Sequence, residues 1–321
     1  MKNQKVITII LSIIVIFSIT VVAWQFYQPN NTSTVQFSII DDFDRNVKIQ
    51  NYPPKRIVSL APSCTEILYT LDLGNNIVGV DEYSDFPADV LERVETGNLT
   101  TVGSFSEISI ETVIGLNPDL ILATGGVQRL VGESLESRGY PVILVYPTNF
   151  EGVLNDISLV GEATGKTDMA NALVSDMRNR AQEIEEKTAG LSKPRVYIEY
   201  SQMGGYWTYG SEAFANELIS KAGGINVFSG FAGSYMSTST EEALKANPEI
   251  IIISKGYMSI STGLSPEVIR ERSGWNEISA IKNNQIYEID ENFISREGPR
   301  IIQGLEELAK IIHPEIFSEN E

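Results

Sequence analysis

The chain has 321 residues, of which 42% are hydrophobic, and its 42 Asp and Glu residues outnumber 24 Lys and Arg residues to give a formal net charge of −18. Because such a field repels phosphate backbones and no basic segment offsets it, we expect no nucleic-acid partner. The single cysteine, Cys64, excludes an internal disulfide, and with only one histidine, His313, we expect no multi-ligand zinc or copper site. His313 precedes Pro314 near the C-terminus, where we predict a frayed segment.

The N-terminal residues predict a single-pass membrane anchor. Residues 6–24 carry no charge and are rich in Ile and Val, and a helix of this length spans a bilayer. Lys2 and Lys5 precede this run, and no further Lys or Arg occurs until Arg45. The positive-inside bias therefore places residues 1–5 in the cytoplasm and the rest of the chain on the extracytoplasmic side of the cell membrane. The alternative is a cleaved signal peptide, although the run lacks a small-x-small cleavage pattern.

The remaining chain predicts an α/β fold with two lobes, preceded by a stalk and lead-in at 25–54. Short apolar runs alternate with helix-starting segments, which is typical of parallel sheets covered on both faces. The predicted strands of the first lobe are Arg56–Leu60, Ile77–Val80, Asp119–Ala123 and Val142–Tyr146, and those of the second are Arg195–Tyr200, Glu249–Ser254 and Gln285–Ile289. The pattern therefore predicts two similar doubly wound lobes, at 55–166 and 191–321.

One long α-helix at 167–190 is predicted to join the two lobes. Thr167–Lys187 contains neither Pro nor Gly, and the pattern ends near Gly190 and Pro194. The apolar residues at helical spacing are Met169, Leu173, Val174, Met177, Ala181 and Ile184. A connection of this length holds two lobes at a nearly fixed angle.

An internal repeat relates the two lobes. The segment GSFSEISIETVIGLNPDLILATGG at 103–126 aligns without a gap with GSYMSTSTEEALKANPEIIIISKG at 233–256. In each copy a serine, Ser109 or Ser239, is placed to cap a helix, and an Asn-Pro step ends the helix before a buried strand. Glu242 also predicts a capping box with Ser239. The lobes therefore resemble copies of one module.

The repeat places Glu111 and Glu241 in the first turns of two equivalent helices. One interpretation is stabilisation of the helix dipoles, which contributes about 0.3–1 kcal/mol at an exposed site. Another is a pair of anionic docking points for a two-fold symmetric partner that offers arginines. Paired catalytic carboxylates are less favoured, because residues on equivalent faces of separate lobes need not converge on one bond.

Aromatic side chains are predicted to line a ligand cleft. They fall in Gly-rich or polar segments after predicted strands, where α/β folds bind ligands. The predicted ligand-binding residues are Tyr83, Phe86, Phe105, Tyr206, Trp207, Tyr235, Phe293 and Arg296. Arg296 is the predicted cleft cation, with pairing to Glu297 or Asp290 as its alternative, and ordinary packing is the alternative for each single aromatic. Together these residues indicate a large, flat or hydrophobic ligand with polar edges.

The sequence does not predict an enzyme. It contains no Walker loop, no nucleophile elbow and no dinucleotide fingerprint, so no catalytic residue and no resident cofactor is expected. An extracytoplasmic hydrolase using Asp81, Asp85 or Asp290 remains an alternative, as does a surface sensor or adhesion module. Cys64 is predicted to be a small buried side chain rather than a reactive thiol.

Three segments resemble a known family. They are RIVSLAPSCTEILYTLDLGNNIVGVDEYSDFP, VGSFSEISIETVIGLNPDLILATGG and FISREGPR. Together they resemble the class of ABC-importer substrate-binding proteins whose two lobes are joined by a single long helix, which captures cobalamin, ferric siderophores or haem. The chain is most similar to cobalamin-binding members, through Tyr83 in EYSDFP and the aromatic Phe105 after Gly-Ser. Those members often carry tryptophans around the cleft, where this chain has Phe105, Thr124, Tyr235 and Phe293.

This resemblance implies an extracytoplasmic receptor that binds cobalamin, a corrinoid, and delivers it to an ABC permease dimer with cytoplasmic ATPase subunits. It implies that the cleft aromatics contact the corrin and that Glu111 and Glu241 engage arginines of the two permease subunits. The soluble part is expected to be a monomer. A ferric-siderophore or haem receptor of the same class is the alternative, whereas bare zinc or manganese is disfavoured because binders of single metals in related folds use several histidines.

Overall fold

The computed structural model describes residues 36–317. The predicted tail at 1–5, the predicted anchor at 6–24 and most of the predicted stalk lie outside the described residues. Within 36–317, no helix is both long enough and apolar enough to cross a membrane.

An antiparallel hairpin opens the described chain. Its strands are β1 (Phe37–Ile40) and β2 (Asn46–Ile49). Asp41 in the turn forms an ion pair with Arg45 and accepts a hydrogen bond from the backbone N–H of Leu144, 3.1 Å away. The sequence pattern gave no sign of this hairpin, which packs its apolar side chains into the core of the first lobe.

The first lobe contains a parallel sheet, as predicted, although it has five strands rather than the four that the sequence indicated. Its strands are β3 (Ile57–Ser59), β4 (Ile77–Val80), β5 (Thr100–Thr101), β6 (Leu120–Thr124) and β7 (Val142–Val145), in the spatial order β5-β4-β3-β6-β7. Its helices are α1 (Pro62–Thr70), α2 (Asp89–Glu95), α3 (Ile110–Gly115), α4 (Arg129–Glu136) and α5 (Phe150–Thr164), with a 3-10 turn at Gly74–Asn76 and another at Gly126–Gln128. Neighbouring residues Ile57 and Val58 enter different hydrophobic clusters, because successive strand side chains point to opposite faces. The sheet is therefore covered on both sides.

A long helix, α6 (Thr167–Thr188), occupies the segment where one was predicted. It buries Val174, Met177, Ala181 and Ile184, which share one face, against α5 and the C-terminal helices. Met169, in contrast, is exposed, because it lies outside this stripe.

The second lobe contains a six-stranded sheet. Its strands are β8 (Arg195–Ser201), β9 (Tyr206–Tyr209), β10 (Ile225–Asn226), β11 (Tyr235–Thr238), β12 (Ile250–Lys255) and β13 (Ile286–Asp290). Its helices are α7 (Phe214–Lys221), α8 (Thr240–Ala246), α9 (Tyr257–Ser261), α10 (Pro266–Arg270), α11 (Ser279–Lys282), α12 (Glu291–Ser295), α13 (Ile301–Ile312) and α14 (Pro314–Phe317), with a 3-10 turn at Trp275–Glu277. Strand β8 pairs in parallel with β10 and β12, and β12 with β13, whereas β9 runs antiparallel to β8 and to β11.

The antiparallel strands correct two predictions. The segment around Tyr206 and Trp207 was predicted to be a cleft loop and is strand β9, since alternating large side chains fit a pleated sheet. The second lobe is consequently a mixed sheet rather than a full copy of the parallel first lobe.

The repeated segments fold alike. Helices α3 and α8 begin at equivalent positions, and the side-chain oxygens of Ser109 and Ser239 accept the first free backbone N–H groups. The capping box of Ser239 with Glu242 is confirmed. Asn117 and Asn247 both end their helices with positive φ angles, 47° and 41°, a conformation that asparagine tolerates better than most residues. The repeat therefore preserves the residues that begin and end each helix and lead the chain into the buried strand.

The prediction for His313 was wrong. The imidazole is buried, with Nε2 at 3.3 Å from the carbonyl oxygen of Gly223, because α13 packs against α6 and α7 and carries the residue into the lobe. Cys64 is fully buried, as predicted.

Candidate ligand-binding cleft

A cavity of about 690 Å³ lies between the two lobes. Its walls are built from residues at or after the ends of β3, β4, β5, β6 and β7 in the first lobe and of β12 and β13 in the second, together with Tyr235 at the start of β11. The lining residues are Pro62, Ser63, Tyr83, Phe105, Thr124, Gly125, Gly126, Val127, Val145, Tyr146, Tyr235, Tyr257, Glu291, Asn292, Ser295, Arg296 and Glu297. The carboxyl ends of strands are where α/β sheets accept ligands, and the volume suits a large small molecule.

Exposed aromatic rings dominate the walls. Tyr83 and Tyr146 on the first lobe, and Tyr235 and Tyr257 on the second, are all more than half exposed. Such exposure of large rings costs free energy that burial against a ligand would recover. Both lobes therefore present aromatic surface to one space.

Two of the predicted aromatics are held by their own lobes. The backbone carbonyl of Phe105 accepts a hydrogen bond from the buried amide of Gln128, which also accepts one from the backbone N–H of Thr124. The ring of Tyr235 packs against Tyr200 and Tyr209, with centroids 5.7 Å and 5.9 Å apart. These contacts fix the backbone at Phe105 and the ring of Tyr235 before any ligand arrives.

A smaller compartment of about 130 Å³ adjoins the cleft. Its lining is Tyr146, Pro147, Thr148, Tyr209, Glu212, Ala213, Phe214, Ala215, Ser234, Tyr235, Ile294, Ser295 and Glu297. Tyr146, Tyr235, Ser295 and Glu297 border both spaces, so the compartment continues from the cleft.

A cluster of ion pairs joins the lobes beside the cleft. Glu66 on α1 is buried and accepts two hydrogen bonds from Arg300, at 2.6 Å from Nη2 and 3.0 Å from Nε. Arg296 donates from Nη1 to the same carboxylate at 3.2 Å and to Asp85 at 2.6 Å. Removing one partner of a buried pair of this kind costs about 3–5 kcal/mol. The cluster therefore fixes the segment after α12 against the first lobe.

The cluster changes the interpretation of Arg296. It lines the cavity, but its partners are Glu66 and Asp85 across the lobe boundary rather than Glu297 or Asp290. No other Lys or Arg contributes to the described lining. Glu291 accepts a hydrogen bond from the backbone N–H of Tyr257, and burial raises its pKa. The ionisable groups left available to a ligand are thus acidic.

Four predicted ligand residues do not line this cavity. The ring of Phe86 lies under the Arg300 guanidinium, 4.0 Å from its centroid, and Phe293 lies 5.5 Å from the same group. Tyr206 packs under Arg272, which pairs with Glu199.

Trp207 donates to the carbonyl oxygen of Met203 at 2.8 Å. These four aromatics therefore support ion pairs or strand β9.

Sequence reasoning missed most of the lining, including Val127, Tyr146, Tyr257 and Glu297. Val127, Tyr146 and Tyr257 lie within three residues of the ends of strands β6, β7 and β12, and Val127 and Tyr257 occupy matching places just beyond the repeat. That position after a strand was a usable signal. Glu297 lies next to Arg296, and only the folded structure shows which of the two charges is already paired.

The aspartates considered for hydrolysis have structural roles. Asp81 is buried and accepts hydrogen bonds from the hydroxyl of Ser84 and the backbone N–H of Tyr83, and burial raises its pKa to about 6. Asp85 belongs to the inter-lobe cluster, and Asp290 caps α12. Within the described chain, no group of three or more His, Cys, Asp or Glu residues is placed to hold a metal ion.

Glu111 and Glu241 are both exposed on their lobes. Neither carboxylate has a hydrogen-bond or ion-pair partner among the described residues. Both are therefore free to meet a partner molecule.

Comparisons with known proteins agree with this geometry. The sequence signature of the periplasmic binding protein family matches residues 57–293. The chain is 32% identical over 295 residues to YvrC, an uncharacterised ABC transporter substrate-binding lipoprotein of Bacillus subtilis (strain 168), covering 90% of this chain and 89% of that protein.

Two solved structures are similar as well. A possible iron-binding (periplasmic solute-binding) protein from Staphylococcus epidermidis ATCC 12228 is 30% identical with a TM-score of 0.69, covering 81% of this chain and 99% of the other. The periplasmic vitamin B12 binding protein BtuF of Vibrio cholerae is 26% identical, also with a TM-score of 0.69, covering 82% and 98%. The similarity therefore extends over nearly the full length of each relative.

Asp156 on α5 is a buried acid behind the cleft. Neither carboxylate oxygen has a hydrogen-bond partner in the described structure. Burial, followed by the negative charge of Asp42, raises the pKa of Asp156 to about 9. The group is therefore held in its neutral form at pH 7.

We predict that Asp156→Asn flattens the dependence of stability on pH. A carboxyl whose pKa is raised on folding contributes stability fully below about pH 4, its unfolded pKa, and loses it progressively as pH rises towards 9. Urea unfolding should show that the free energy of unfolding of the variant rises relative to that of the native chain by about 5 kcal/mol between pH 4 and pH 8, because each pH unit between the two pKa values contributes about 1.4 kcal/mol. The exposed Glu95→Gln serves as control, and equal slopes for all three proteins would contradict the prediction.

Proposed function

Since the chain belongs to the periplasmic binding protein family, we propose that it is the receptor of an ABC importer and that its cargo is a corrinoid such as cobalamin. In this proposal the apolar run at 6–24 holds the receptor at the extracytoplasmic face of the cell membrane. The cleft captures the ligand without transforming it, and a permease dimer with cytoplasmic ATPase subunits takes it up.

The proposed cargo rests on the charged residues that line the cleft. Among the described lining residues the single guanidinium, Arg296, is already bonded to Glu66 and Asp85, whereas Glu297 has no partner. Haem carries carboxylate arms and ferric catecholate chelates are anionic, so both would enter a site with no available cation. A corrinoid presents a large ring with neutral amide arms. The cleft suits the neutral ligand better.

The aromatic walls support the same cargo. Phe105 on the first lobe and Tyr235 on the second line one space, so a flat ring can bury both of its faces. Aromatic and aliphatic burial would supply most of the affinity, and loop hydroxyls would orient the polar edge. The vitamin B12 binding relative supports this assignment.

The second candidate is a ferric-siderophore or haem receptor of the same class. The Staphylococcus epidermidis structure described as a possible iron-binding protein favours keeping it. A neutral or cationic hydroxamate chelate would suit the acidic cleft better than haem. Ligand charge therefore disfavours haem and catecholate chelates, whereas titration with a ferric hydroxamate separates that cargo from a corrinoid.

We propose that Glu111 and Glu241 dock the receptor on the permease. They are exposed, lack partners within the described residues and begin equivalent helices of the two lobes. Two anionic points on related modules match a permease dimer that offers arginines near its two-fold axis.

The cargo proposal predicts a ranking of ligands. Isothermal titration of the full-length protein should give one-to-one binding of cyanocobalamin that is tighter than the binding of haem or a ferric catecholate. Tyr235→Ala should weaken cyanocobalamin about ten-fold, since the ring loses its burial against the ligand. Trp207→Ala is the matched control, because that aromatic lies outside the cavity. Preferential binding of haem or an iron chelate would replace the corrinoid with the second candidate.

The docking proposal predicts a separation of transport from binding. The double variant Glu111→Ala/Glu241→Ala should reduce uptake through the cognate permease in proteoliposomes at least ten-fold, with ligand affinity unchanged. Glu95→Ala/Glu271→Ala removes the same charge from exposed sites elsewhere on the two lobes and should transport normally. Loss of ligand affinity in the first double variant, or equal transport by both, would contradict the docking role.

A further inference from the structure

The compartment beside the cleft is built from both lobes. Pro147 and Thr148 come from the segment after β7, and Ser234 and Ile294 belong to the second lobe. Its volume of about 130 Å³ has room for about four water-sized groups. A ligand filling the main cavity could extend one short side arm into it.

Glu297 lies where the compartment meets the cleft. The side chain is half-buried and has no hydrogen bond or ion pair within the described residues. Its neighbour Arg296 is committed to Glu66 and Asp85. A desolvated carboxylate without a donor is costly, so this position favours a ligand that brings N–H groups.

Hydroxyl donors complete the site. Thr148 and Tyr235 line the same compartment, and neither hydroxyl has a hydrogen-bond partner among the residues the structure describes. A primary carboxamide carries two N–H donors and one carbonyl acceptor. One acceptor at Glu297 and hydroxyls able to donate therefore complement this group, whereas an ammonium group would leave the hydroxyl donors unused.

We propose that this compartment receives one carboxamide arm of the ligand, that Glu297 accepts its N–H groups, and that Glu297 thereby excludes ligands with a carboxylate arm at the same place. The inference rests on the proposed corrinoid function and deepens it, because it names the residue that distinguishes an amide from an acid.

The protonation of Glu297 adds a pH signature. Burial raises the pKa of this carboxyl to about 7. Above pH 7 the carboxylate accepts N–H groups and repels a second carboxylate. Below pH 7 the protonated carboxyl can donate to an acidic arm, so discrimination should diminish. The titratable groups coupled to Glu297 are Asp156, which is neutral at pH 7 and whose pKa Glu297 helps to raise, and the neutral phenol of Tyr235. Glu212 in the compartment and Glu291 in the cleft are the other acidic residues of the lining.

The test uses cyanocobalamin and its monocarboxylic acid derivatives, in each of which one amide arm is hydrolysed. Titration of the full-length protein at pH 8 should find one monoacid that binds at least ten-fold more weakly than the parent, and the gap should narrow at pH 5.5. Glu297→Gln should bring that monoacid within about three-fold of the parent at pH 8. Glu95→Gln removes an exposed charge from a site that lines neither the cleft nor the compartment and should retain the discrimination.

The outcomes separate this inference from the function on which it rests. Tight binding of cyanocobalamin with no discrimination among its monoacids, or discrimination that survives Glu297→Gln, overturns the role of Glu297 alone. Failure of cyanocobalamin to bind the native protein overturns the proposed cargo and this inference with it. Circular dichroism of Glu297→Gln establishes that a loss of discrimination does not reflect a loss of fold.

Discussion

The buried carboxylate of Glu66 is the constraint on which the cleft depends. It lies on the first helix of one lobe with almost no exposure to solvent, and Arg300 and Arg296 of the other lobe supply its donors. An unpaired charge at this position would cost several kcal/mol, so the segment after α12 must stay against the first lobe. The ion pairs therefore fix one side of the cleft.

The same ion pairs determine the chemistry of the cleft. Both arginines that the sequence offers near the site are used to neutralise Glu66 and Asp85, so the described lining has no cation to spare for a ligand. Glu297, carried on the same fixed segment, is left with its charge unmatched. A neutral, donor-rich cargo follows from that distribution of charge, and an acidic one is disfavoured.

The parts of the fold that depend on local patterns could be predicted from the sequence. The buried strand around Ile250–Ile253, the capping serine Ser239 and the apolar stripe of α6 each arise within a few residues of chain. The antiparallel strand β9 could not be predicted from local pattern, because Tyr206 and Trp207 fit a loop as well as a half-buried strand. Long-range pairing with β8 and β11 decides between them.

Local sequence patterns also predicted part of the site. Tyr83, Phe105 and Tyr235 follow glycines or strand ends, and they line the cavity. Phe86 and Phe293 share that sequence context but pack near Arg300 instead, since the inter-lobe cluster forms only in the folded chain. The opposite error was made at His313, which was predicted to be frayed because it lies near the C-terminus. It is buried because α13 packs across the lobe.

A crystal structure of the full-length protein with cyanocobalamin tests the central claim most directly. The account predicts the corrin between Phe105 and Tyr235, with Arg296 and Arg300 still bonded to Glu66. A ligand bound elsewhere, or Arg296 released from Glu66 and Asp85 to contact the ligand, would contradict it.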